Sequence, residues 1–175
     1  MRIRRLAPPD REPVLELLHT GGTFTADEVA VAMEVVDACL TAPGRDYHVL
    51  VCETDDETLV GYVCYGPTPM TLGTWDLYWI ATRAGLRGKG IGSRLVYSME
   101  ADLLERGARL VRIETSQQDE YEAARSFYAR HGYREVGRIH DFYRHGDDLV
   151  TLARRLELPA ETGINRSAAR PAGMP

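Results

Sequence analysis

RAGLRGKGIGSRL, residues 83–95, sets Gly88, Gly90 and Gly92 at every second position among basic residues and runs on into a segment with helical spacing. A strand, a glycine-rich turn and the first turn of a helix leave several main-chain N–H groups unpaired and pointing one way, with the positive end of the helix dipole behind them. Such a nest binds phosphate. Glycine suits it because a side chain would obstruct the anion or forbid the dihedrals of the turn. A glycine-rich loop alone is as often a flexible turn, so the flanking elements decide between the two readings.

Downstream, IGSRLVYSMEADLLERG places Ile91, Leu95, Met99 and Leu103 four apart and stops at Gly107, a helix that begins inside the glycines. Upstream, YHVLVCET, TLVGYVCYG and TWDLYWIAT are β-branched and aromatic runs joined by short breaks, an antiparallel meander. Further out, MRIRRL alternates like a strand, and Pro8 and Pro9 open a helix that carries Val14, Leu15, Leu17 and Leu18 inward until Gly21 and Gly22. A second helix starts at Thr25 and Glu28, at capping-box spacing, with Val29, Ala32, Met33, Val36 and Leu40 on one stripe. On the C-terminal side, RLVRIETS reads as a strand, YEAARSFYARHG as a helix, and YREVGRIHDFY with DLVTLARRL as a strand pair around His145 to Asp147. The order β-α-α-β-β-β-α-β-α-β-β, from residue 2 to about 156, predicts one α+β domain over 1–156. Residues 157–175, rich in Pro, Ala, Gly and Arg, read as a mobile tail.

A chain of 175 residues with net charge -5 and pI about 5.6 has no basic footprint for nucleic acid or an anionic membrane. Cys39, Cys52 and Cys64 sit in apolar patterns without CxxC spacing, which reads as buried thiols in a reducing compartment. No apolar run approaches the roughly 18 residues of a membrane span, and the start lacks a signal-peptide core. The expected location is the cytoplasm. A P-loop needs Gly-Lys-Ser/Thr, and here Gly90 follows Lys89. A dinucleotide-binding fold is nearer, since Glu114 ends the next strand about 20 residues on, yet GKGIGS lacks the third glycine and the upstream meander does not fit.

Two motifs carry a family resemblance. Arg87, Gly90 and Gly92, with an extra glycine at Gly88, match Arg/Gln-x-x-Gly-x-Gly/Ala, and Ala124, Phe127, Tyr128, Gly132 and Tyr133 match Asn-x-x-Ala-x-x-Phe/Leu-Tyr-x-x-x-Gly-Phe/Tyr, with Tyr121 in place of the asparagine. The sequence thereby resembles the GCN5-related N-acetyltransferases. The resemblance implies an α+β fold layered α/β/α, with a mixed, mostly antiparallel sheet of six to seven strands splayed between the fourth and fifth and flanked by about four helices. It implies acetyl-CoA as co-substrate, its pantetheine on Ile80 and Thr82 and its pyrophosphate on Arg87, Gly88, Lys89, Gly90, Ile91, Gly92 and Ser93. It implies direct transfer to the amine of a small molecule or of a protein N-terminus or lysine. A non-catalytic acyl-CoA-binding or sensing domain of the same fold is the rival.

Acetyl transfer to an amine needs a proton acceptor, a stabilised oxyanion and a proton for the departing thiolate. Tyr128 matches the family's tyrosine at the thioester sulfur and is the expected general acid, although Tyr121, Ala124, Phe127, Tyr128 and His131 also form a helical stripe that suits core packing. For the base, alternation in RLVRIETS puts Arg112, Glu114 and Ser116 on one face, with Glu114 at the strand end. Glu114 also resembles the glutamate base of ribosomal-protein N-terminal acetyltransferases; Asp76, expected to share a face with Tyr78 and Ile80, is the second candidate. A water relay from either acid would serve. Acceptor pockets in the family draw on the first two helices and the last strand pair, which nominates Phe24, Glu28, Tyr78, Asp141 and Tyr143, with His140, Asp147 and Asp148 nearby. His140 and His145 lack ligand spacing, so no metal is expected. The edge of the final hairpin offers a route to a homodimer without fixing one.

Overall fold

The alternating runs assemble into one sheet. The structure is a computed structural model, which describes residues 1–20, 24–86 and 88–157. Its strands are β1 (Arg2–Arg5), β2 (His48–Glu53), β3 (Leu59–Pro67), β4 (Thr74–Thr82), β5 (Leu110–Ser116), β6 (Arg134–Arg144) and β7 (Asp147–Arg155), in the order β1-β2-β3-β4-β5-β7-β6. All neighbours are antiparallel except β4 and β5. The helices α1 (Arg11–Thr20), α2 (Ala26–Thr41), α3 (Ile91–Glu105) and α4 (Glu122–Arg130) follow the predicted order, with Asp119–Tyr121 a 3-10 turn before α4. The seven strands and four helices among the described residues match the expected α+β layering. The expected tail lies outside the described residues from 158 on. No helix among the described residues is long and apolar enough to cross a membrane.

Two cores sit on opposite faces of the sheet. Val14, Leu17 and Leu18 of α1 and Val29, Met33 and Val36 of α2 pack with Val49, Val51, Tyr62 and Cys64. Ile91, Leu95, Met99 and Leu103 of α3 pack with Val63, Leu77, Val111, Ile113 and Tyr128. The predicted stripe of α2 holds through Val36, after which Cys39 is buried and Leu40 is only half-buried. Thr25 and Glu28 form the predicted capping box: the Glu28 amide donates to Thr25 Oγ1 at 3.2 Å and the Thr25 amide to Glu28 Oε2 at 2.8 Å. The three cysteines are buried free thiols, and burial pushes each thiol up.

Helix α3 packs directly over Gly61 on β3, where the missing side chain leaves room for it. A Cβ at Gly61 would stand 2.9 Å from Ile91 Cγ2 and 3.1 Å from the Ala81 carbonyl. At its other end α3 is tied down through buried Glu100, which accepts from Tyr133 Oη at 2.9 Å and from Arg154 Nη1 at 2.8 Å.

The parallel pair β4/β5 is short. Only Thr74, Trp75 and Asp76 face Leu110, Val111 and Arg112. On β4's other side Cys64 opposes Trp79 while Tyr65 opposes Leu77, so Tyr78 is an inserted residue, a β-bulge two residues beyond the last β5 rung at Asp76. A bulge bends its strand and raises the local twist. Strand β4 turns away from β5, which stays paired with β7 along its whole length, and a V opens between them.

Candidate active site

The glycine segment stands at the open end of the V. Gly88 and Gly90 both have φ near +79°, the left-handed region that glycine enters without penalty, and, chain neighbours aside, no atom of the described residues lies within 4 Å of a Cβ built at either. The space in front of the turn is therefore open. Helix α3 makes its first internal bond from the Arg94 amide to the Gly90 carbonyl at 3.0 Å. The amides of Ile91, Gly92 and Ser93 are left without a helical acceptor. Gly92 is needed for packing: a Cβ there would lie 3.2 Å from the Phe127 ring of α4.

A cavity of about 510 Å³ extends from these amides into the V. Ile80, Thr82, Gly88, Gly90, Ile91, Gly92 and Ser93, the described residues nominated for the cofactor, line it together with Tyr128 and Phe24. Lys89 is exposed and does not line the cavity. Arg87 lies outside the described residues.

Tyr128 is 5% exposed, and burial pushes its phenol well above the ordinary range. Its ring is positioned by edge contacts with Phe127 and Tyr133, centroids 5.4 and 5.9 Å away. Among the described residues no hydrogen bond engages its hydroxyl. A protonated phenol is thus presented to the cavity wall.

The two candidate bases sit on the other face of the sheet, around Arg112. Arg112 Nε donates to Asp76 Oδ1 at 2.7 Å and Nη1 to Glu114 Oε1 at 3.0 Å. Asp76 is buried, and its second oxygen accepts from Thr68 Oγ1 at 2.9 Å. Glu114 is half-exposed, with its second oxygen outside that ion pair. Together with Leu77 and Tyr78 the three charged residues enclose a small cavity of about 90 Å³ where β4 and β5 part. One expectation needs correction. Strict alternation groups Asp76, Tyr78 and Ile80, but the bulge at Tyr78 shifts the phase, so Ile80 pairs with Val63 and packs on the α3 side. Asp76 and Tyr78 remain together beside the small cavity.

Of the acceptor candidates, Phe24 packs edge-on against Trp79, centroids 5.5 Å apart. Glu28 has both oxygens engaged, Oε2 in the capping box and Oε1 by the Tyr121 hydroxyl at 2.8 Å. Burial, with Asp76 beside it, pushes the Tyr78 phenol up to about 12. Burial raises Tyr143 too, with the negative charges of Glu114, Asp147 and Glu28 adding to the effect. Asp141 is drawn into the β6–β7 turn: its φ is +53° and its Oδ1 accepts from the Gly146 amide at 2.6 Å. Asp148 holds the same turn through Arg138 and His140, and buried Asp147 accepts from Ser116 Oγ. No group of three or more metal-ligating side chains occurs among the described residues.

Sequence reasoning did not single out Arg130, Glu120 or Ala123, which also line the cavity. His131, read only as part of a helical stripe, lines it too. His131 Nδ1 lies 2.8 Å from the Phe127 carbonyl, which makes that nitrogen the donor. The only available signal was the i, i+3 spacing from Tyr128.

A sequence model of the Acetyltransferase (GNAT) family matches residues 17–133. The chain belongs to that family. Among solved structures, this acetyltransferase is 37% identical to a GNAT-family protein from Desulfovibrio desulfuricans, with a TM-score of 0.85 over 89% of this chain and 99% of the other. More distant structures share the fold. An aminoglycoside 6'-N-acetyltransferase in complex with coenzyme A is 20% identical, TM-score 0.72, over 91% of this chain and 99% of that one. The ribosomal-protein-S18-alanine N-acetyltransferase of Escherichia coli is 17% identical, TM-score 0.70, over 92% and 97%. No curated protein matches the chain by sequence. Membership makes the chain an N-acetyltransferase, and the family's fold accounts for the V and the glycine turn together.

Proposed function

We propose that this acetyltransferase moves the acetyl group of acetyl-CoA directly to the primary amine of a small molecule or of a protein N-terminus or lysine, with Tyr128 as general acid and Glu114 as base. The observation that carries the reading is the continuity of one cavity from the free amides at Ile91, Gly92 and Ser93 to the Tyr128 side chain. The glycine turn fits a pyrophosphate, because a Cβ at Gly88 or Gly90 would project into the open space that the anion needs. When bound, acetyl-CoA supplies an activated acetyl group and a good leaving group. The chain's residues do the rest. Ile91, Gly92 and Ser93 hold the pyrophosphate oxygens, and the main chain of Ile80 and Thr82, unpaired on the β5 side, takes the amide-bearing arm. Glu114 accepts a proton from the amine nitrogen, directly or through water in the small cavity beside it. Tyr128 hands its proton to the sulfur as the carbon–sulfur bond breaks and the carbon–nitrogen bond forms. Arg112 and Asp76 keep Glu114 in place. The buried thiols fit a reducing compartment such as the cytoplasm.

Tyr128→Phe tests the assignment. Turnover, followed by free-thiol release over an amine panel, is expected to fall about 100-fold or more while calorimetric affinity for acetyl-CoA is unchanged. An unchanged rate removes Tyr128 as the acid. Acetyl-CoA binding by the wild type without release on any amine points to the sensing domain.

A further inference from the structure

The Tyr128 hydroxyl has no hydrogen bond among the described residues to set its direction, so the side chains packed around the ring must set it. One of them, Tyr133, meets Tyr128 twice. Its amide donates to the Tyr128 carbonyl at 3.1 Å, where the His131 amide also donates at 2.9 Å. Its ring stands edge-on to the Tyr128 ring, centroids 5.9 Å apart.

Tyr133 is fixed from behind. It is 2% exposed, and its hydroxyl donates to Glu100 Oε1 at 2.9 Å. Glu100, on α3, is itself buried, and Arg154 of β7 donates from Nη1 to both of its oxygens at 2.8 Å. Arg154 packs against the turn that ends α4: Gly132 has a φ of +82°, and a Cβ there would lie 3.6 Å from Arg154 Nε. Side chains from α3 and β7 therefore converge on one hydroxyl, and that hydroxyl belongs to the ring that Tyr128 rests on.

Stability alone does not call for this arrangement. The Coulomb gain of a buried ion pair only about offsets its desolvation, and apolar side chains of the same volume often stabilise as much. What a hydrogen bond to a carboxylate adds is direction. An apolar ring at position 133 is free to turn against its neighbours, whereas a phenol anchored on Glu100 presents one edge to Tyr128. Direction matters most for a proton donor, which acts only within hydrogen-bond reach of the atom it serves.

We propose that Glu100 is a positioning residue for proton donation: acting through Tyr133, it holds the Tyr128 ring so that the hydroxyl points at the thioester sulfur. This rests on Tyr128 being the general acid, as read above. Neither Glu100 nor Tyr133 lines the cavity, so both act through Tyr128.

The test is a double-mutant cycle in wild type, Tyr133→Phe, Tyr128→Phe and the double variant. Thiol release from acetyl-CoA is followed with whichever of butylamine, Nα-acetyl-lysinamide and alaninamide reacts fastest with the wild type. Tyr133→Phe removes the hydroxyl and keeps the ring. It is expected to lower kcat about five-fold or more, with KM and calorimetric Kd for acetyl-CoA unchanged, and to have no further effect in the Tyr128→Phe protein. Should Tyr133→Phe fold poorly by circular dichroism, Glu100→Gln weakens the same bond from its other partner and takes its place in the cycle. A wild-type kcat, a loss confined to KM, or an equal loss in both backgrounds overturns the positioning role, since a merely structural tie slows both proteins alike. A wild-type rate in Tyr128→Phe defeats the acid assignment instead, and this inference with it. Acetyl-CoA binding without release on any of the three amines does the same through the amine-acceptor reading.

Discussion

Gly90 satisfies two requirements in one residue: a φ of +79° at the cap of α3 and empty space ahead of its Cα. Gly90→Glu adds backbone strain of about 1–3 kcal/mol and puts a like charge where the pyrophosphate is proposed to sit. Acetyl-CoA affinity is expected to fall beyond calorimetric detection while circular dichroism still reports the native fold. Normal affinity in the folded variant would sink the loop assignment. At this scale the sequence was informative wherever a residue's role is local. The glycines, the Thr25–Glu28 cap and the orientation of Glu114 each follow from neighbours within a few positions. Arg130, His131 and the Tyr121–Glu28 bond were hidden because what they face is supplied by residues far away in the chain. Asp141, nominated for the acceptor side, has one carboxylate oxygen engaged across the β6–β7 turn by the Gly146 amide.

The elements were legible in order and approximate extent, since hydrophobic period distinguishes strand from helix without tertiary knowledge. The bulge was not. A period of two cannot register an inserted residue, so Ile80 was placed with Asp76, and only the pairing with β3 shows the change of face at Tyr78. Gly61 is a second such case: a glycine in a buried strand gives no hint that a helix presses on it. Gly61→Ala brings a methyl within 3.0 Å of Leu95 Cδ1 and 3.1 Å of the Ala81 carbonyl. The carbonyl cannot step aside as a side chain can, so a destabilisation of about 1–3 kcal/mol is expected from denaturant melts. Because α3 carries the glycine turn at its head, the same variant should also bind acetyl-CoA more weakly. Wild-type values in both measurements would show that the helix adjusts freely.

For the molecule as a whole, acid sensitivity has an identifiable contributor. His48 is 4% exposed, packs against Tyr65 and Trp75 with ring centroids 5.5 and 5.3 Å away, and its Nδ1 has no hydrogen-bond partner among the described residues. Burial lowers its pKa, with Arg106 and Arg5 adding to the effect and Asp102 opposing it. The unfolded chain, with a histidine pKa of about 6.5, therefore takes up the proton first, and stability is lost as pH falls below that value. Wild type is expected to lose more melting temperature between pH 7.5 and 5.5 than His48→Phe, whose ring cannot titrate. Equal losses would clear His48 of the effect. The V has a consequence of its own. Besides its outer strands β1 and β6, the sheet has a seam on the inside, where β4 beyond Asp76 is without rungs to β5. An extended, amide-bearing guest laid in that seam acts as a borrowed eighth strand. Folding and loading then draw on the same hydrogen bonds, and a guest at 100 times its Kd raises the unfolding free energy by about 2.7 kcal/mol.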